Sequence, residues 1–303
     1  MLDKLINNYR TENSRKEKSE AKTLYYVDEI ARLTAYGCDE AENLLQKCSS
    51  ALKDLAEAEH RPLGTAQPAF ASVGEAAATA RSAYFCSAVC RHRAEMGKEV
   101  KESDLLITSQ SDEPELGNTV AYVRNAVSDE AFKQFSAAIK GASVSYTSAF
   151  SSACEEVYYG RVRYCILPYE TSDEGTLSGF MRMIRKYELH NECVCSVRGE
   201  RSSTKFVLLS RQAAEPLAVK GAKRFLKLEI SSSEHSALAR VVLAASALSI
   251  APVKLQSVPV SWDDGRYVAV LTFDLADQSA APFLMYLSLC VPECSDVAVY
   301  SEI

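Results

Sequence analysis

The sequence predicts a mixed protein, part α/β and part α+β, built from a helical N-terminal region over residues 1–105, a βαβαβ unit over 118–212 and a βαββαβ unit over 223–303. Three patterns carry this prediction. In the first third, apolar residues recur at the 3.6-residue helical period; in the middle, short β runs alternate with helical stretches; at the end, period-two and helical patterns succeed one another in a fixed order. A chain of 303 residues with 47% hydrophobic content can bury two or three separate cores without metal or disulfide support.

From Ala21 to about Met96 the helical period is carried by residues such as Leu44, Leu45, Cys48, Leu52 and Leu55, with Asp39 placed to cap the helix that holds them. A Pro- and Gly-rich break over residues 61–74 separates it from an Ala-rich helix ending near Gly97, so a helical hairpin or small bundle is expected. The polar stretch Lys101 to Asn118 marks a linker. Beyond it, β runs at Thr119–Val123, Ser143–Tyr146 and Val162–Pro168 alternate with helices carrying Phe132, Phe135 and Ile139 and spanning Ser148–Tyr159. That order gives parallel strands with crossover helices. A further helix with Leu177, Phe180, Met181 and Ile184 precedes two β runs, Cys193–Val197 and Lys205–Leu209, which read as a hairpin.

The last stretch is the clearest. Leu226, Leu228 and Ile230 alternate with Lys227 and Glu229, as in a strand with one buried face. Ala237, Leu238, Val241, Val242, Ala245 and Leu248 then follow helical spacing. Strands Val253–Val260 and Tyr267–Phe273 are joined across Asp263-Asp264-Gly265, a tight-turn sequence, and Pro282 opens a helix before the closing strand Val297–Tyr300.

Composition narrows the function classes. A net charge of −6 and a pI near 5.5, with no basic stripe interleaved with aromatics, argue against nucleic acid as a partner. The charged N-terminus and the lack of a long apolar run predict a cytoplasmic protein with no membrane span. The 10 cysteines include no Cys-x-x-Cys pair, and the 4 histidines, His60, His92, His190 and His235, are scattered. Reduced thiols, no metal and no cofactor are expected.

The order βαββαβ, with Ser236-Ala237-Leu238 opening its first helix and Leu255-Gln256-Ser257-Val258-Pro259 in its second strand, resembles the ACT domain that follows prephenate dehydratases. Upstream, Phe150 to Gly175 is similar to the dehydratase segment that runs through a helix, a Gly, a buried strand and Pro-Ile-Glu-Asn-Ser; Gly160, Tyr164, Leu167, Pro168, Glu170, Ser172 and Gly175 agree in order and spacing. Thr204-Lys205-Phe206 echoes the family's Thr-Arg-Phe. The resemblance implies a ferredoxin-like ACT domain behind a periplasmic-binding-protein-like lobe. It further implies Thr204, Ser172 and Glu170 as catalytic residues in the conversion of prephenate to phenylpyruvate, water and carbon dioxide. Thr171, Ser128, Lys205 and Gly175 would contact substrate, and Ser236, Ala237, Leu238, Gln256 and Ser257 an effector such as an aromatic amino acid. An anion is expected where the strand ending at Glu170 opens into a helix N-terminus.

The chain also departs from the family. Thr171 replaces an Asn, and Lys205 replaces an Arg, which keeps charge but loses the planar fork that grips a carboxylate. Val123 to Ser128 lacks the glycines of the family's first motif, and only 34 positions separate Glu170 from Thr204, where the family inserts a second lobe. Each motif residue also has a structural reading: Glu170 and Ser172 can hold a turn, Thr204 can be a strand residue, His190 and His235 can be surface or satisfied histidines, and Arg182, Arg185 and Lys186 can form one solvated helix face.

The expectation is therefore a prephenate dehydratase-like protein of phenylalanine metabolism with lost or reduced catalysis, paired through its ACT domain and binding a small carboxylate such as prephenate or an aromatic amino acid. The alternative is an active prephenate dehydratase.

Overall fold

The chain opens on the helices α1 (Leu2–Asn13), α2 (Glu20–Tyr36), α3 (Ala41–Ala58) and α4 (Val73–Glu95), followed by a 3₁₀ turn at Glu102–Asp104. Next come β1 (Thr119–Val123), α5 (Ala126–Ser136), β2 (Ser143–Thr147), α6 (Phe150–Tyr158), β3 (Tyr164–Thr171), β4 (Gly175–Thr176), α7 (Ser178–Lys186), β5 (His190–Arg198) and β6 (Ser203–Ser210). The last stretch holds β7 (Lys223–Ser231), α8 (His235–Ala247), β8 (Ala251–Pro259), β9 (Tyr267–Asp274), α9 (Ala281–Cys290) and β10 (Cys294–Glu302). This computed structural model describes all residues except 14–19, 39–40, 60–72, 107–116, 200–201, 212–216, 218, 220, 232–233 and 260–266. The Asp39 cap, most of the Pro- and Gly-rich break, the centre of the polar linker and the Asp263-Asp264-Gly265 turn lie outside the described residues.

Two compact units result: unit 1 is Met1–Leu105 with Ser233–Pro252 and Ser279–Ser295, and unit 2 is Leu106–Ser232 with Val253–Gln278 and Asp296–Ile303. Unit 1 is helical. In α2, Val27, Ile30, Ala31, Thr34 and Ala35 are buried, the spacing of one helical stripe. Helix α4 is rich in small residues, among them the fully buried Ala83, Cys86 and Ala88, which lets it lie between α2 on one side and α8 and α9 on others. Helix α9 is buried nearly all round through Phe283, Leu284, Met285, Tyr286 and Leu287. The N-terminal α1, which the helical pattern beginning at Ala21 does not anticipate, turns Ile6, Tyr9 and Glu12 inward, one per turn.

Unit 2 is built on one mixed sheet of ten strands among the described residues, in the order β2-β1-β3-β6-β5-β10-β7-β9-β8, with β4 paired to β3. β1 runs parallel to β2 and β3, as the crossover helices require, and β6 is antiparallel to both β3 and β5. The two sequence-predicted groups of strands join where β10 runs parallel to β5, pairing Ser301 with Cys193 and Glu302 with Val194. Side chains alternate across a strand, so this sheet has two packed faces. The α5 face carries Val120, Ile166, Cys195, Phe206 and Leu208 against Ala131 and Phe135 of α5. The α7 face carries Leu167, Val207, Leu209, Val270 and Tyr300 against Met181 and Ile184 of α7. Each Val, Leu, Ile, Phe or Met among them contributes roughly 1.5–3 kcal/mol by leaving water.

One expectation fails here. The middle of β7 has no solvated face: Lys227 and Glu229, at 1% exposure, are buried like Leu226 and Leu228, because the α7 face is covered from Phe225 to Glu229.

Candidate functional site

The stretch resembling the dehydratase motif lies at the end of β3. The strand does not open directly into a helix N-terminus; it turns back at Thr171, which pairs with Gly175, and a two-residue β4 intervenes before α7. Gly175 has φ +70, the left-handed conformation with which a three-residue hairpin loop closes. The polar side chains of the loop are engaged within it. Thr171 Oγ1 accepts the N–H of Glu174 (3.1 Å). Ser172 Oγ donates to Asp173 Oδ1 (2.8 Å) and accepts the N–H of Ser203 (3.1 Å), while the Ser172 N–H donates to the Ser203 carbonyl (2.9 Å). The helix that follows has Leu177 at its N-cap and no side-chain cap.

The pairing of β3 with β6 fixes where the expected catalytic residues point. Past a bulge between Pro168 and Glu170, Glu170 stands opposite Lys205 and Thr171 opposite Thr204. Partners share a face and neighbours along a strand do not. Glu170 and Lys205 are therefore on the α7 face, and Thr171 and Thr204 on the α5 face. On the α7 face each charge already has a partner from its own chain. Glu170 is bonded by Lys254, and Lys205 Nζ lies 2.6 Å from Glu302 Oε1.

Lys254 and Gln256 come from β8, the strand expected to touch an effector. Lys254 also donates to Thr176 Oγ1 (3.0 Å), and Gln256 Nε2 donates to the same hydroxyl. Two stretches singled out in the sequence thus meet in unit 2, joined through Glu170, Thr176, Lys254 and Gln256. Ser257, on the other side of β8, is exposed. Ser236, Ala237 and Leu238, in the first turn of α8, belong to unit 1, with Ala237 fully buried.

Ser128 is buried inside the first turn of α5, at 1% exposure. Asn125 caps that helix, its Oδ1 accepting from the N–H groups of Val127 (3.1 Å) and Ser128 (2.9 Å). These are the donors an anion at this helix start would use. Tyr122 Oη donates to Asp129 Oδ1 (2.9 Å) and stacks on Phe132, fixing the same turn.

Deeper on the α7 face lies a charged cluster that the sequence patterns do not announce. Lys227 Nζ is 2.7 Å from Asp296 Oδ2 and 3.8 Å from Glu229 Oε1. Arg185 Nε is 3.0 Å from Glu229 Oε2, and His190 Nδ1 is 3.5 Å from Asp296 Oδ1. Burial alone would push Lys227 down, but Asp296, Tyr169 and Glu229 outweigh it and hold its pKa up to about 12. Burial would raise Asp296, yet Lys227 and the His190 contact draw it down to about 2. Glu229 is raised, burial outweighing its two cations, and burial raises Tyr169 as well. The solvated-face reading of α7 holds for Lys186, which is exposed and lies over the Tyr187 ring, and is corrected for Arg185, which turns inward to Glu229. His190 likewise meets an acid, Asp296, that lies too far along the chain for local spacing to reveal. Asp296 has φ +46, a left-handed conformation that Asp tolerates better than most residues.

Among the described residues no group of three or more His, Cys, Asp or Glu is disposed to hold a metal ion, and no helix is long and apolar enough to cross a membrane.

No family model matches this sequence, and no curated protein matches it. Solved structures do. A prephenate dehydratase from Streptococcus mutans is 15% identical with a TM-score of 0.47, covering 61% of this chain and 99% of its own. GqqA, described as a novel type of quorum quenching acylase, is 18% identical with a TM-score of 0.46, over 61% of this chain and 95% of its own. A prephenate dehydratase from Arthrobacter aurescens in complex with L-Phe is 14% identical with a TM-score of 0.43, over 60% and 89%.

Proposed function

We propose that this chain is a prephenate dehydratase-like protein without dehydratase turnover, acting as a small-carboxylate-binding regulator in phenylalanine metabolism. The observation that carries the reading is the placement of Glu170 and Thr204 on opposite faces of the sheet, as the β3–β6 register dictates. A substrate the size of prephenate has to touch both within hydrogen-bond reach for the two to share one reaction. The partners of the remaining motif residues point the same way: Ser172 and Thr171 hold a turn, and Lys205 and Glu170 are neutralised by Glu302 and Lys254.

The relationship itself rests on the motif residues of the sequence and on two strand orders. β2-β1-β3 is a parallel βαβαβ arrangement, and β10-β7-β9-β8 is the order of a ferredoxin-like βαββαβ sheet, in keeping with an ACT-like segment over 223–303. Pairing of two copies through that segment is part of the proposal. β8 ends the strand order, and its Val253 and Leu255 are 51% and 62% exposed, an apolar edge that a second β8 would cover.

The test is turnover of prephenate to phenylpyruvate by the purified protein, with Thr204→Ala and Glu170→Gln alongside, and calorimetric titration with prephenate and with L-phenylalanine. The expected result is no turnover above the spontaneous rate and saturable binding of at least one ligand. Turnover that both substitutions abolish would overturn the proposal in favour of an active dehydratase. For the pairing, Leu255→Lys should convert a dimer to a monomer in light scattering.

A further inference from the structure

We infer that unit 1 contains a second ligand site, a pocket for a small organic carboxylate with a short apolar body, independent of the dehydratase-like motifs. The pocket is lined by residues of α1, α2, α3, α4, α8 and α9 and has a volume of about 60 Å³. One water needs roughly 10–15 Å³ of such space, so a group of several heavy atoms fits.

Its wall is divided. Val27, Leu52, Leu55, Ala56 and Ala78 form an apolar side. Arg81, Arg240 and Glu59, with the hydroxyls of Tyr9, Thr79 and Ser82, form a polar one. Two guanidinium groups stand there, and Glu59 is the carboxylate of the lining itself. That carboxylate is already committed: Glu59 Oε1 accepts both the Tyr9 hydroxyl and Arg81 Nε (2.9 Å). Arg81 also bonds the Tyr9 side chain, and its contact with Glu20, an acid 66% exposed, is 4.0 Å long. Arg240 is fixed rather than mobile, with Nη1 on the Cys290 carbonyl (2.7 Å) and Nη2 on Glu293 (2.8 Å). Each of its terminal nitrogens still has a second hydrogen to donate.

A held guanidinium beside an apolar wall suits a carboxylate, which takes parallel N–H donors at once, better than a neutral group. Tyr9 is fully buried, and burial together with Glu59 pushes its pKa up, so it remains a proton donor held by Glu59. An apolar body attached to the anion would cover Leu52, Leu55 and Ala78 and gain by leaving water.

The experiment titrates the full chain with isovalerate and benzoate, each compared with its neutral amide, by calorimetry and ligand-observed NMR. At least one acid should bind saturably, with its amide weaker by about tenfold or more. Ala56→Leu, which fills the pocket from α3 with a good helix former, should weaken binding by about tenfold or more while the melting temperature stays at or above that of the parent. Lys254→Gln, which removes the partner of the motif residue Glu170 in unit 2, should leave binding unchanged. Absence of saturable binding, equal affinity for acid and amide, or parental affinity in a folded Ala56→Leu would each overturn the inference. Loss of binding in Lys254→Gln would overturn it too, by moving the carboxylate to unit 2. Because these probes are not dehydratase substrates, failure here leaves the prephenate test standing, and the reverse also holds.

Discussion

Two sets of charges share the α7 face of the sheet in unit 2, and they differ in kind. The pairs Glu170–Lys254 and Lys205–Glu302 lie where side chains keep 25–38% of their exposure. Lys227, Glu229 and Asp296 lie beneath, with side-chain exposures of 2%, 2% and 20%. The exposed set contains two residues that the family resemblance singles out, Glu170 and Lys205; the buried set contains none. Exposed pairs gain little because water screens them, whereas a charge taken out of water is costly unless its counter-charge stays in place. The groups with most influence on this fold are therefore not those that carry the sequence signature.

Removal of the central cation tests that contrast most strongly. Lys227→Met leaves Asp296 buried without its closest cation, and a loss of about 3–5 kcal/mol is expected in urea unfolding. A loss below about 1 kcal/mol would place the cluster in contact with water and dissolve the distinction between the two sets.

Acid unfolding gives the next largest effect. Asp296 is held down to about 2 by Lys227 and His190, from an ordinary 3.8. The folded state thus releases this proton more readily than the unfolded chain does. The stability so gained is complete above about pH 4 and is lost as pH falls toward 2, an amount on the order of 2 kcal/mol. Glu229 is shifted the other way, so its contribution falls above that window and has the opposite slope. Asp296→Asn should flatten the urea midpoint between pH 4 and 2; an unchanged slope there would assign the acid sensitivity to other carboxylates.

These effects also mark where the sequence stops being readable. Periodicity found the crossover helices and most strands, because apolar spacing is local and survives without knowledge of partners. It placed Lys227 and Glu229 outward, because alternation reveals that two faces differ but not what covers the polar one. Arg185 and His190, supplied by α7 and β5, cover it here. Asp296 joins Lys227 across 69 positions, a pairing that only the β10 backbone creates. At the motif, Thr171 to Gly175 is as rich in turn formers as in ligand-binding types. The hairpin that results uses Thr171 and Ser172 for its own N–H groups. The same residues would be read as a site or as a turn, and only the β3–β6 register, with Thr204 across from Thr171, separates the readings.

The smallest effect is expected at the motif pair itself, and it is the one that sharpens the comparison. Lys254 and Glu170 stand 31% and 28% exposed, and both long side chains lose rotamer freedom to meet. A double-mutant cycle with Lys254→Gln and Glu170→Gln should give a coupling below about 1 kcal/mol, falling further as salt rises to 0.5 M. Thr176 complicates the cycle, since its hydroxyl accepts from both Lys254 and Gln256; Thr176→Val, made in both backgrounds, separates that contribution. A coupling above about 2 kcal/mol that resists salt would mean that β8 closes over Glu170 and shuts water out. Glu170 would then be a buried structural acid held by Lys254, even less able to meet a substrate, and the contrast between the two sets of charges would become one of degree.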